Sequence, residues 1–316
     1  MRSVGLLGTG LRSDIIAHLL DRSGVGVKLW PSREEEDLES FPESVEVVEI
    51  DDLAENSLIF VCMPIHRIRE AVRKLGDALS GRHALVHTTR TLEYATLEPI
   101  SEILRDETPT RRVGFVTGPM RRDDVLEDRG ASAVCSSPFP EVADMVEEAL
   151  SSETFRVYRN DDLPGTEAAA AYARTISVAY GMADRLGLGC SVLSTLFARG
   201  LDEMSTFVTY QGGYENTTYG IAGAGNLHCD TTGEGNTDFR IGRRFIDEGT
   251  PELEAFRDEL NVVEDELFGF LDSLISRAKT AKLDLNILEA VERSLVDGED
   301  PEETFRWLME LPDLRE

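Results

Sequence analysis

Lysine is scarce in this chain of 316 residues, and the charge is strongly one-sided. The 32 basic residues comprise 28 arginines and four lysines, against 60 acidic residues, which gives a formal net charge of −28. A chain this acidic repels polyanions, which excludes nucleic acid as an expected partner. The charge favours a salt-rich cytosol, where screening suppresses self-repulsion. The alternative is an ordinary acidic protein whose genome encodes arginine in place of lysine.

Cysteines and long apolar runs are equally sparse. The four cysteines, none in a CxxC pair, exclude a disulfide framework and indicate a reducing compartment; they are Cys62, Cys135, Cys190 and Cys229. Adjacent His228 and Cys229 would point apart in a regular segment, so no metal is expected. The longest apolar stretch, residues 58–64, is too short to cross a membrane. With no signal-peptide pattern at the N-terminus, we expect a soluble cytoplasmic protein without a membrane partner.

Hydrophobic periodicity divides the chain into two domains. Residues 1–162 alternate strand-like and helix-like segments, including a strand candidate at 45–50, as in a parallel sheet with crossover helices. Residues 163–316 follow helical periodicity, with one amphipathic helix near 251–279 and another starting at Asp300-Pro301. The sequence therefore predicts an α/β domain with a parallel-rich sheet, followed by an all-α domain.

A glycine-rich turn directly follows the first predicted strand and opens a helix. Its residues are Gly8-Thr9-Gly10-Leu11-Arg12-Ser13. In that context a GxGxxG-type turn places a dinucleotide pyrophosphate at the helix N-terminus. Gly8 permits the tight turn, Gly10 permits close approach of the backbone, and the small Ser13 replaces the third glycine. We therefore expect all six residues to contribute to cofactor binding; the alternative is a turn with no ligand.

The end of the second strand bears on which dinucleotide binds. An NAD site usually offers a carboxylate there for the ribose 2′-hydroxyl, but this chain has Trp30-Pro31-Ser32-Arg33. A hydroxyl and a guanidinium suit a 2′-phosphate, so Ser32 and Arg33 favour NADP(H) over NAD(H), which stays an alternative. The competing interpretation is that Arg33 forms ion pairs only with the acidic residues 34–36.

Several longer motifs resemble one known family. They are Phe60-Val61-Cys62-Met63-Pro64, Thr117-Gly118-Pro119, residues 199–204 (RGLDEM) and residues 220–227 (GIAGAGNL). With the glycine turn, they make the chain similar to the NAD(P)-dependent glycerol-3-phosphate dehydrogenases over essentially its whole length. The resemblance implies a Rossmann-type N-terminal domain and an all-α C-terminal domain of the glycerol-3-phosphate/6-phosphogluconate dehydrogenase type. It also implies a homodimer and hydride transfer between a nicotinamide cofactor and a small anionic, phosphorylated substrate.

The same resemblance assigns roles to individual residues. Met63 and Pro64 would lie at the cofactor, and Thr117 and Gly118 at the substrate, where Arg240 or alternatively Arg243 could take the place of the family's phosphate-binding arginine. The lysine that serves the family as acid/base falls on Ala173, and the asparagine after it falls on Arg174. Other family site residues fall on changed positions too: a second lysine on Arg90, an aspartate on Asn226, and a phosphate-binding Arg-Asn pair near Thr237 and Asp238.

The missing lysine leaves three hypotheses open. Arg90 and Arg174 can bind anions or polarise a carbonyl, but with pKa values above about 12 they cannot shuttle a proton. An oxidoreductase would therefore use Arg90, Arg174 and Asn226 with a rearranged acid/base, for which His87, Tyr172 and Glu167 are candidates. The second hypothesis is a catalytically inactive NAD(P)H-binding sensor or regulator. The third is an interaction protein that keeps only the fold, which the intact glycine turn disfavours.

Overall fold

The computed structural model describes residues 2–10, 12–31, 38–234 and 236–311, with the side chains of 262–264 left aside. The chain forms two compact units. The first comprises residues 1–93 and 98–167, and the second comprises 94–97 and 168–316. The predicted boundary lay at 162/163. The sequence offers no break at 167 because one helix, Leu163–Arg185, continues through that point.

The first unit contains a sheet whose strands, within the described residues, number eight. They are β1 Ser3–Leu7, β2 Gly26–Trp30, β3 Glu46–Val47, β4 Leu58–Val61, β5 Ala84–His87, β6 Arg112–Thr117, β7 Ala131–Ser136 and β8 Phe155–Asn160. Their order is β3-β2-β1-β4-β5-β6-β7-β8, and every neighbouring pair is parallel except β6 and β7. The predicted Rossmann-type domain with a parallel-rich sheet is confirmed.

Helices cover this sheet and connect its strands. They are α1 Ser13–Arg22, α2 Ile65–Gly76, α3 Ile100–Glu107, α4 Arg122–Leu126 and α5 Pro140–Leu150, with a 3₁₀ helix at Ile50–Glu55. All four side chains of β4 are buried, as expected for a strand covered on both faces. The strand predicted at 45–50 is wrong beyond Glu46–Val47, because the 3₁₀ helix begins at Ile50.

The second unit is helical. Its elements are the greater part of α6 (Leu163–Arg185), then α7 Cys190–Tyr210, a 3₁₀ helix Glu215–Tyr219, a π-helical turn Ile221–Gly225, α8 Asn226–Thr231, α9 Thr237–Asp247, α10 Leu253–Asp258, α11 Val262–Ala281, α12 Asn286–Leu295 and α13 Pro301–Glu310. The helix predicted near 251–279 is in fact two, α10 and α11. The predicted all-α domain is confirmed.

Helices α6 and α9 approach each other unusually closely. A Cβ atom on Gly181 of α6 would lie 2.0 Å from the carbonyl oxygen of Phe239, and one on Gly242 of α9 would lie 2.1 Å from that of Val178. Only glycine fits at such distances, because the clashing atoms belong to the backbone. The two glycines thus set the spacing at which other side chains of α6 and α9 meet.

Candidate functional site

The glycine turn of the first unit is built for close approach of backbone to backbone. Gly8 adopts a φ of +94°, and the Gly10 N–H donates to the carbonyl of Cys62 at 2.7 Å. A Cβ atom would lie 2.8 Å from that oxygen on Gly8 and 2.6 Å from it on Gly10. Buried Ser13 then starts α1 and donates its hydroxyl to the Gly10 carbonyl at 2.5 Å. Neither glycine tolerates a side chain, so at these two positions no side chain covers the backbone before the N-terminus of α1.

Charged side chains surround this turn within the first unit. Arg12, the residue before α1, donates from Nη1 to the hydroxyl of Thr117 at 3.2 Å. Asp14, in the first turn of α1, is paired with Arg122, with 2.5 Å between Oδ2 and Nε. A carboxylate here would oppose an anionic ligand. The Arg122 pairing offsets that charge, and Arg12 adds a cation beside the turn.

The structure describes some of the other residues predicted at the cofactor. Thr9 is half-buried in the turn, Met63 is buried after β4, and Pro64 precedes α2. The Thr89 hydroxyl holds the Met63 carbonyl at 2.9 Å. Leu11, Ser32 and Arg33 lie outside the described residues, so their predicted roles stay predictions.

The structure brings predicted residues of the first unit to the carboxyl ends of neighbouring strands. Gly8, Cys62 and Thr117 follow or end β1, β4 and β6, three strands of one sheet. Thr117 is fully buried, and Gly118 follows it with a φ of +150°. Ligands of parallel α/β sheets bind at this edge. Arg90 is half-buried and comes three residues after the carboxyl end of β5, a strand of the same sheet.

His87, at the end of β5, is fully buried and stacks on Phe115, with 4.4 Å between the ring centroids. Its Nε2 lies 3.0 Å from Oε1 of Glu167 without a well-aligned hydrogen bond. Glu167, itself buried, accepts hydrogen bonds from the Ser101 N–H and hydroxyl at 2.9 and 2.6 Å. Both acid/base candidates of the first unit are therefore built into its interior.

In the second unit, Arg174 is held by a buried ion pair. Its Nε and Nη2 donate to both carboxylate oxygens of Asp238 at 3.0–3.3 Å, and the two residues are 8% and 5% exposed. The pair joins α6 to α9 near the close approach at Gly181 and Gly242. Ala173, where the sequence resemblance places the family lysine, is fully buried. The guanidinium of Arg174 is thus committed to a carboxylate on two of its nitrogens.

The other predicted residues of the second unit are occupied locally. Asn226, buried at the start of α8, donates its side-chain amide to the Ala222 carbonyl at 2.9 Å. Arg240 is exposed and donates to the Thr237 hydroxyl at 3.3 Å. It lines an open cavity of about 580 Å³ in which three arginines face three acids: Arg240, Arg243, Arg244, Glu234, Asp247 and Glu248. These charges balance.

Tyr172, the third acid/base candidate, is fully buried and donates its hydroxyl to Glu203 at 2.9 Å. Burial raises the pKa of Tyr172 well above its usual value, and the carboxylate of Glu203 raises it further. Burial also raises the pKa of Glu203 to about 7, against hydrogen bonds from the Ile287 N–H and Tyr172 that lower it. Tyr172 therefore keeps its proton across the neutral range.

Two features were missed from the sequence. The Asp14–Arg122 pair joins residues 108 positions apart, which no local pattern signals. Tyr94, whose ring packs on Gly269 of α11, begins a short turn at residues 94–96, and no feature of the sequence singles it out. In the described parts of the chain, no group of three or more His, Cys, Asp and Glu side chains is arranged to hold a metal ion, and no helix combines the length and apolarity needed to span a membrane.

Comparisons with known proteins agree with this architecture. The model of the NAD-dependent glycerol-3-phosphate dehydrogenase N-terminus matches residues 3–143, and that of the C-terminus matches residues 162–306. Glycerol-3-phosphate dehydrogenase (NAD(P)+) of Chlorobium luteolum is 31% identical over 243 residues, covering 71% of this chain and 73% of that protein. The enzyme of the same name from Exiguobacterium sp. is 28% identical, covering 100% and 97%.

Solved structures show the same fold. The crystal structure of glycerol-3-phosphate dehydrogenase from Coxiella burnetii matches with a TM-score of 0.87 at 23% identity, covering 98% of this chain and 99% of that one. The structure of glycerol-3-phosphate dehydrogenase from Saccharomyces cerevisiae matches with a TM-score of 0.84 at 15% identity, covering 98% of this chain and 99% of that one.

Proposed function

This chain belongs to the NAD-dependent glycerol-3-phosphate dehydrogenase family, oxidoreductases that act on CH–OH donors with NAD(P), and on that premise we propose its function. It transfers hydride between a nicotinamide dinucleotide and a small anionic, phosphorylated hydroxy or keto compound. Family membership supports the cofactor and the substrate class. The changed positions 173, 174, 226, 237 and 238 make the catalytic site a diverged one.

The geometry of the glycine turn is the observation that carries the proposal. Gly8 and Gly10 lie against the Cys62 carbonyl with no room for a Cβ atom, which is the cradle a pyrophosphate needs. The bound dinucleotide would supply the hydride. The chain would supply backbone N–H groups at the start of α1, the cation of Arg12, and the Asp14–Arg122 pair that removes an opposing charge.

The finer assignments are proposals as well. A 2′-phosphate bound by Ser32 and Arg33 gives a preference for NADP(H), because a guanidinium forms charge-assisted hydrogen bonds to phosphate. Arg90, Arg174, Asn226 and His87 stay the catalytic candidates. We also propose that the protein is a homodimer and that it is located in the cytoplasm.

A catalytically inactive NAD(P)H sensor is the second candidate function. It is favoured by Ala173, which has no proton to give, and by the Arg174–Asp238 pair, which occupies the neighbouring guanidinium. A positioned general acid contributes about 10²–10⁴ in rate. On either hypothesis dinucleotide binding is retained, and only turnover separates them.

Dinucleotide binding is tested by fluorescence titration of NADPH and NADH at fixed molar salt. Gly10→Ala should weaken binding of both by at least about tenfold, because its methyl group would meet the Cys62 carbonyl at 2.6 Å. Gly81→Ala is the matched control, since a Cβ there meets nothing within 4 Å. Arg33→Ala should reduce the preference for NADPH. Unchanged affinity in Gly10→Ala contradicts the proposed site.

Turnover is followed as NADPH absorbance with dihydroxyacetone phosphate at molar salt. We expect reduction well below the ordinary enzyme rate of about 10 s⁻¹, because no lysine stands at position 173. The double variant Ala173→Lys, Arg174→Asn restores the family's residue pair and is assayed beside it. Ordinary rates in the unmodified protein contradict the diverged site, whereas no turnover with any small ketone and normal NADPH binding supports the sensor.

A further inference from the structure

A four-residue strap, residues 94–97, belongs to the second unit although the residues on both sides of it belong to the first. Three side chains elsewhere in the second unit hydrogen-bond to its backbone. Ser273 accepts from the Ala95 N–H at 2.8 Å, Arg277 donates to the Thr96 carbonyl at 2.9 Å, and Gln211 donates to the Leu97 carbonyl at 3.0 Å. Two side chains of α11 and that of Gln211, the residue after α7, therefore fix the path of the strap.

The strap is strained. Ala95 and Leu97 adopt φ values of 64° and 56°, in the left-handed region that costs free energy for residues with a Cβ atom. Such conformations persist only where surrounding contacts impose them, and they concentrate at functional sites. The three hydrogen bonds are those contacts. Their common effect is to hold Tyr94 at the start of the strap.

Tyr94 has a hydroxyl that is buried without a hydrogen-bond partner among the described residues. Its ring lies against α11, where a Cβ atom on Gly269 would be 2.9 Å from two ring carbons. A larger residue than glycine would displace the ring. The fold therefore makes room for a tyrosine and leaves its polar atom unused, although a buried donor without a partner is costly.

Charged groups of the second unit act electrostatically on this hydroxyl. Its pKa is raised, first by burial and then by Glu266 and Asp265, while Arg174 and Arg257 act in the opposite direction. The phenol consequently stays protonated near neutral pH and is a hydrogen-bond donor rather than a base. Arg174 is also the residue next to Ala173, the position at which the sequence lacks the family lysine.

We propose that Tyr94 is a substrate-contacting residue, whose neutral hydroxyl donates a hydrogen bond to an oxygen atom of the hydroxy or keto compound. The strain of the strap and the room at Gly269 serve to hold that donor in place. The inference rests on the proposed function for its substrate class. It assigns no proton transfer to Tyr94, which keeps its proton throughout.

The test compares Tyr94→Phe with Tyr214→Phe, a control at an exposed tyrosine. Thermal unfolding without ligand measures any structural role of each hydroxyl. Calorimetric titration with glycerol 3-phosphate and with dihydroxyacetone phosphate measures the contact. We expect Tyr94→Phe to keep or raise the melting temperature, because its hydroxyl has no partner to lose, and to weaken binding of both ligands about tenfold. Tyr214→Phe should change neither.

Three outcomes overturn the inference. They are a lower melting temperature for Tyr94→Phe, unchanged ligand affinity, and no binding of either ligand by the unmodified protein. NADPH affinity, measured in the same preparations, reports on the proposed function independently. If the unmodified protein does not bind NADPH, the proposed function is wrong. If Tyr94→Phe binds the two ligands more weakly than the unmodified protein but binds NADPH equally well, the Tyr94 contact is supported.

Discussion

At the scale of single residues, Arg174 and Asp238 form an ion pair in the interior of the second unit. Both members are more than nine-tenths buried. A buried pair gains little overall, because desolvation offsets the attraction between the charges. Removing one member is different, because it leaves the other charge buried and uncompensated. Stability should therefore depend on the pair as a whole.

We expect Arg174→Met to destabilise the protein by about 3–5 kcal/mol and the double variant Arg174→Met, Asp238→Leu to recover much of that loss. Arg185→Met is a matched control, since the exposed Arg185–Asp247 pair joins the same two helices and should contribute at most about 1 kcal/mol. Denaturant unfolding measures all three. Equal losses in the single and double variants would show that the buried charges are not coupled.

At the scale of elements, the N-terminus of α12 is capped from another helix. Leu285, the residue before α12, offers no capping side chain, and Glu203 of α7 accepts from the Ile287 N–H at 2.7 Å instead. Its other oxygen accepts from Tyr172 of α6. One buried carboxyl thus links three helices, and its protonation state affects all of them.

Glu203 should make stability depend on pH between about 4.5 and 7. Its pKa is raised from 4.5 to about 7 on folding, so the protonated form is favoured in the folded state. That contribution, about 3 kcal/mol, is fully present below pH 4.5 and is lost as the pH rises through 7. We expect Glu203→Gln to remove this slope, because an amide does not titrate there. Its oxygen can accept from the Ile287 N–H while its NH2 group donates to the Tyr172 oxygen, so both partners stay hydrogen-bonded.

The measurement is the free energy of unfolding from pH 4.5 to 8 in the unmodified protein and in Glu203→Gln. Exposed Glu302→Gln serves as the control. The difference between the unmodified protein and Glu203→Gln should fall by about 3 kcal/mol over this range. Parallel curves would mean that the Glu203 pKa is the same in the folded and unfolded states.

At the scale of the whole molecule, a net charge of −28 opposes the compact state. Screening acts over about 3 Å at 1 M salt, so the melting temperature should rise by several degrees from dilute buffer to molar potassium chloride. Salt also weakens surface ion pairs, such as those of the partly exposed Arg69 with Glu93 and Glu107. Because such pairs contribute little to stability, their loss reduces the expected rise in melting temperature only slightly. Sucrose at equal osmolality is the uncharged control. A flat or falling curve favours the ordinary acidic protein.

The sequence by itself determined the features that depend on neighbours along the chain. Strand and helix periodicity follow from which face of a segment is buried, so the α/β domain and the helical domain were predictable. The glycine turn predicts a dinucleotide site because it joins a strand to a helix. The start of α13 is equally local: the Asp300 side chain accepts from the Glu303 N–H at 3.0 Å, with Pro301 after it.

Only the tertiary structure decided which distant residues meet. Arg174 and Asp238 are 64 positions apart, and their pairing depends on the close approach of α6 and α9, which periodicity does not encode. The antiparallel pairing of β6 with β7 and the strap at 94–97 are likewise contacts between separate segments. Tyr94 gained its importance only there, because a buried hydroxyl without a partner is a property of its surroundings and not of its position in the chain.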